Sequence, residues 1–140
     1  MTPISFLPIL VASVVAFGVS AFWYSPILFG NEWMRLSKIS DKDVSDMATK
    51  GLSSMWRLYV IQFVATLIIF SVLGFIISAS GSQSVSDGLF LAFIVWLGFS
   101  VTRAAGEMLW KKVQLKLMLI SEICTLVAWL IGGAIIAAWR

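Results

Sequence analysis

Charged side chains are absent from stretches of this 140-residue chain that are long enough to cross a bilayer. An α-helix needs about 20 apolar residues for that crossing. From Met1 to Asn31 no charge occurs, and the apolar part ends at Trp23-Tyr24, ahead of Pro26. The pattern predicts a first span over roughly 4–24, anchored by interfacial aromatics and stopped by proline. The uncharged run between Arg57 and Asp87 predicts a second over roughly 57–79, followed by the turn-forming SASGSQS segment. A third must include Arg103 to reach sufficient length, which predicts roughly 88–110 with Glu107 also inside. The fourth, roughly 117–139, contains Glu122.

Composition agrees with lipid as the solvent. Hydrophobic residues make up 60% and charged residues 12%, with a mean hydropathy of +0.98, against about 45–50% and 25% in soluble domains. The expected fold is an all-α, integral membrane four-helix bundle forming one domain over 1–140. A short cytoplasmic amphipathic helix is expected in the connection over roughly 25–56. There Ser40 and Asp43 have capping-box spacing, and the segment up to Lys50 ends at Gly51. Lacking a basic amino-terminal region, the first span does not read as a signal peptide.

The net charge of +3 and pI near 9.3 do not indicate nucleic acid, because the basic residues flank the apolar spans. Arg35, Lys38, Lys42, Lys50 and Arg57 belong to the first connection, and Lys111, Lys112 and Lys116 to the third. The opposite side has only Arg140. The positive-inside rule therefore predicts a bacterial inner membrane protein with both termini outside the cytoplasm.

Histidine is absent and Cys124 is the single cysteine. This composition offers no disulfide framework, metal-ligand spacing or cofactor motif, and argues against an enzyme. Glu122 lies six positions beyond Lys116, about 9 Å deep; Arg103 and Glu107 lie about 12 Å and 6 Å from Lys111 by the same count. Charges at such depth cost at least ~2.5–3.5 kcal/mol each unless they pair or face water. Arg103 is thus expected to pair with Glu122 or with Glu107. Glu122, Arg103 and Glu107 form the candidate intramembrane ion-pair or transport site. Ala12, Ala16 and Ser20, with Ala128, Gly132, Gly133 and Ala137, supply small-residue faces for packing within a chain or between copies in a homo-oligomer.

The stretch Trp23, Tyr24, Ser25, Pro26, Phe29, Gly30 and Trp33 resembles the Trp-Tyr-Ser-Pro-x-x-Phe-Gly-x-x-Trp motif of the small four-span proteins catalogued as domain of unknown function 1761. The likeness extends over essentially the whole chain, and where that family often carries Asn in its final helix this chain has Glu122. The resemblance implies a four-span membrane protein and brings no activity with it. The expected role is structural, regulatory or oligomer-forming. The alternative is a small transporter or channel for a cation or cationic compound, using an intramembrane carboxylate.

Overall fold

The computed structural model describes residues 5–38, 42–43, 45–46, 52–82 and 84–139, and among these only helices, turns and short connections occur. Helix α1 is Phe6–Trp23 and α2 is Gly30–Leu36. Helix α3 is Leu52–Ala79, α4 is Val85–Lys111, and α5 is Leu115–Ala138. Four of them, α1, α3, α4 and α5, are long and apolar enough to cross a membrane. Lys42, Asp43, Ser45 and Asp46 are helical, whereas Ser40 and Gly51, the ends expected for that surface helix, lie outside the described residues.

The third span begins earlier than the charge pattern predicts. Ser84 caps it, its Oγ accepting a hydrogen bond from the Asp87 amide at 3.2 Å, and Asp87 lies in the first turn. There a carboxylate meets the positive end of the helix dipole. Helix α2 was not foreseen, because seven residues carry too little periodicity to reveal a helix.

Helix α5 touches each of α1, α2, α3 and α4, with α1 and α4 making its broadest contacts. Buried positions accordingly recur on more than one of its sides: Ile120, Cys124 and Ala128 in one series, Gly133 and Ala137 in another. The apolar core joins Ile9, Ala12 and Ala16 of α1 to Phe70, Leu73 and Ile77 of α3. Ala92 of α4 and Ala128, Ile136 and Ala137 of α5 complete it.

Small residues allow that core to close. A β-carbon on Gly88 would lie 2.6 Å from Ala137 Cβ and 2.7 Å from the Gly133 carbonyl oxygen. One on Gly133 would lie 2.9 Å from the Gly88 oxygen. The two backbones are therefore in direct contact, which in lipid replaces the hydrophobic drive that water would supply. Gly132 abuts the fully buried ring of Phe70, from α3. The small-residue faces of α1 and α5 thus pack inside one chain, apart from half-buried Ser20.

Along α4, Gly88, Ala92, Trp96, Ser100 and Ala104 recur at steps of four and all are buried or half-buried. In a regular α-helix such a series drifts by about 40° at each step. A π-helical segment, Trp96–Val101, interrupts α4 and offsets that drift with its wider turn. Trp96 and Ser100 consequently both face α5.

Replacing Gly88 or Gly132 by Leu is expected to destabilise the bundle by about 1–3 kcal/mol, the usual effect of overpacking. Gly18→Leu, at a position with nothing within 4 Å, should have little effect. Thermal unfolding in detergent measures the difference.

Candidate functional site

Glu122 is 6% exposed and occupies the half of the bundle nearer the basic connections. Its Oε2 accepts a hydrogen bond from Ser100 Oγ at 2.7 Å, and its Oε1 is 4.0 Å from Arg103 Nη2. Its backbone oxygen accepts from Trp96 Nε1 at 2.9 Å. All three partners come from α4, with Trp96 and Ser100 placed by the π segment. Ser13, Thr66, Ser71, Thr102 and Thr125 instead donate to the carbonyl four residues back in their own helices. Ser100 departs from that local habit and bonds across to α5.

Arg103 makes its shorter contact with Glu107, Nη1 to Oε1 at 2.8 Å, while Lys111 Nζ stands 4.0 Å from the same oxygen. The three candidate residues are therefore adjacent, but unlike in environment. The Glu122 side chain is 8% exposed, against 61% for Arg103 and 42% for Glu107.

The aromatic motif closes over the same stretch of α5. After α1 ends, the Phe29 amide donates to the Trp23 carbonyl and the Gly30 amide to the Ser25 carbonyl, both at 3.0 Å. A β-carbon on Gly30 would collide with the Tyr24 and Ser25 backbone, so the turn requires glycine. Trp23 and Phe29 bring their ring centroids within 4.7 Å, and Tyr24 and Trp33 within 5.7 Å. Ser25 Oγ donates to the Phe22 carbonyl at 2.6 Å, and Pro26 follows in the turn.

Trp23 Nε1 then donates to the Ile120 carbonyl at 3.1 Å. The Tyr24 hydroxyl lies beside Ser121 and Cys124, and Cys124 Sγ lies 3.8 Å from Ser20 Oγ. Two indoles, one following α1 out of the core and one on α4, thus grip carbonyls of α5 two residues apart. Beneath them, Glu32 of α2 contacts Lys116 at 2.7 Å and also pairs with Arg35. Arg35 first and Lys116 second hold the Glu32 carboxyl down at about 2, below its usual 4.5.

Reading the sequence missed Trp96, Ser100 and the Glu32–Lys116 tie. The four-residue stripe from Gly88 to Ala104 is the signal that points to the first two. Nothing local signals the tie, whose ends are far apart in the chain.

By architecture this is a multi-pass helical membrane protein with a buried carboxylate held between α4 and α5. The chain belongs to the family described as Protein of unknown function (DUF1761), which matches residues 7–137. No curated protein and no solved structure matches it.

Because the folded Glu32 value is depressed, the stabilisation from its ion pairs is complete above the ordinary carboxylate value and is lost as pH falls through about 2. Carboxyl NMR should show Glu32 titrating near that value. Arg35→Gln and Lys116→Gln should each move it upward, the former more; an ordinary wild-type value would refute the tie.

Proposed function

We propose that the protein is a non-enzymatic, structural, regulatory or oligomer-forming protein of a bacterial-type inner membrane, and that Glu122 serves as an assembly clamp between α4 and α5. The observation that carries this reading is a buried carboxylate with a hydrogen bond from α4 on one oxygen and a guanidinium of α4 near the other. Ser100 serves one oxygen, Arg103 faces the other, and Trp96 binds the residue's backbone. A carboxylate enclosed in this way orients two helices through directional bonds that lipid cannot replace.

Removing Ser100 leaves an acceptor unsatisfied, at about 1–3 kcal/mol. Ser100→Ala is therefore expected to destabilise the wild-type bundle by that amount and to have almost no effect in a Glu122→Leu background. Equal losses in both backgrounds would sink the clamp.

The second reading is a transporter or channel for a cation or cationic compound. It draws on the exposure of Arg103 and Glu107 beside the buried carboxylate. Proton-coupled export of cationic dyes from vesicles, abolished by Glu122→Gln, would favour it over the clamp.

The distribution of basic residues supports a topology with both termini outside the cytoplasm. In a Cys124→Ser background, an impermeant maleimide should label Ser86→Cys on intact cells and Ser37→Cys only after permeabilisation. The reverse pattern would overturn that orientation.

A further inference from the structure

A ladder of charge runs along α4 from its basic end to the buried carboxylate. Lys111 Nζ stands 4.0 Å from Glu107 Oε1, and Arg103 Nη1 bonds the same oxygen at 2.8 Å. Arg103 Nη2 then faces Glu122 Oε1 at 4.0 Å, and Glu122 Oε2 accepts from Ser100. From Lys111 to Arg103 the ladder descends about 12 Å by helical rise. Lipid tails leave such groups unsolvated, so charges at this depth pair with one another or face water.

The two oxygens of Glu122 differ. Ser100 serves Oε2, whereas the nearest cation to Oε1 lies beyond hydrogen-bond reach. Among the described residues, no side-chain nitrogen or oxygen is both fully enclosed and without a hydrogen bond. Oε1 makes none, so it keeps an opening to the surface beside Arg103. A gap of 4.0 Å between two polar atoms is one that water bridges. The guanidinium and the two carboxylates supply the polar partners that a held water needs.

In the other direction the bundle is closed. Six residues further along α5, about 9 Å by the same rise, Ala128 belongs to the apolar core. Beyond it the Phe70 ring fills the space against Gly132, and Gly88 and Gly133 touch through their backbones. Ser13, a buried polar residue of that core region, bonds the Ile9 carbonyl of its own helix.

We propose that Glu122 is reached by water, and through it by protons, from the end of the bundle that carries Lys111, Lys112 and Lys116, and from that end alone. The path is a wet notch along α4 lined by Arg103 and Glu107. Around the carboxylate stand Arg103 on α4, with Glu107 one turn on, Tyr24 after α1, which feels the charge of Glu122, and Cys124 on α5 itself. Tyr59 of α3 packs against Phe17 of α1 instead. At its floor the notch offers one open oxygen beside a guanidinium. That is too few ligands for a hard metal cation, which takes about six or more oxygens, and sufficient for a proton.

This access rests on neither reading above: a clamp with one wet oxygen remains a clamp, and a transporter requires a second opening at the far end. Its test is modification by 2-sulfonatoethyl methanethiosulfonate, a small anionic reagent for thiols that water reaches. It is applied to right-side-out and to inverted membrane vesicles in a Cys124→Ser background. Ser37→Cys marks the basic end, because Glu32 ties α2 to Lys116. Glu122→Cys, or the near-isosteric Ser100→Cys where the first does not fold, should be modified at least tenfold faster from the side that labels Ser37→Cys. Ala128→Cys should be modified from neither side.

Protection of the reporter cysteine from both sides would overturn the proposal. Equal rates from the two sides would do the same, as would modification of Ala128→Cys as fast as the reporter. The clamp is read separately, by the stability of Ser100→Ala with and without Glu122, and export by dye movement, so each idea fails by itself.

Discussion

Where Gly88 meets Gly133, two helices approach until their backbones touch, and the polar chemistry of the protein depends on that approach. Lipid tails are as apolar as leucine, so α4 and α5 gain nothing by hiding apolar side chains from them. They gain from close contact, which glycine and alanine permit at Gly88, Ala92, Gly133 and Ala137. With the helices drawn together at one end, Ser100 and Trp96 are brought within hydrogen-bonding distance of Glu122 further along. A looser seam would leave the carboxylate too far from both.

The bundle is consequently divided along its length. The half containing Ile9, Phe70, Ile77, Ala92 and Ile136 is apolar and tightly packed. In the other half lie Glu122, Ser100, Trp96, Tyr24 and the ring pairs of the aromatic motif, where directional bonds take over from close packing. The π segment falls at the transition. A widened turn there keeps the α4 stripe on α5 instead of letting it rotate away.

Much of the architecture was legible because the bilayer imposes so simple a rule. The uncharged runs placed all four long helices to within a few residues, and the largest disagreement, at α3, arises where that helix continues beyond Arg57 toward Leu52. Depth counting set Arg103 and Glu122 at similar levels, and they stand 4.0 Å apart. What stayed hidden was non-local or depended on helix phase. A serine in an apolar run gives no sign whether it bonds its own helix or its neighbour, so Ser100 looked like Ser71. Glu32 and Lys116 belong to different connections, and only the fold brings them together. The Gly30 turn was partly readable: glycine suggested a tight approach, but not that Tyr24 and Ser25 form the opposing wall.

The central position of α5 bears on how the protein is made. It is the last of the four spans to leave the ribosome, yet the others assemble around it. At about 5–20 residues per second, Trp23 waits on the order of 5–20 s before its acceptor at Ile120 is synthesised. Ser100 and Arg103 wait on the order of 1–4 s for Glu122 at the same rates. During that interval α4 presents a guanidinium and an unsatisfied indole to the insertion machinery or to lipid. Completion of the bundle is therefore a late event, and the nascent chain must keep α1 and α4 apart long enough for α5 to enter between them.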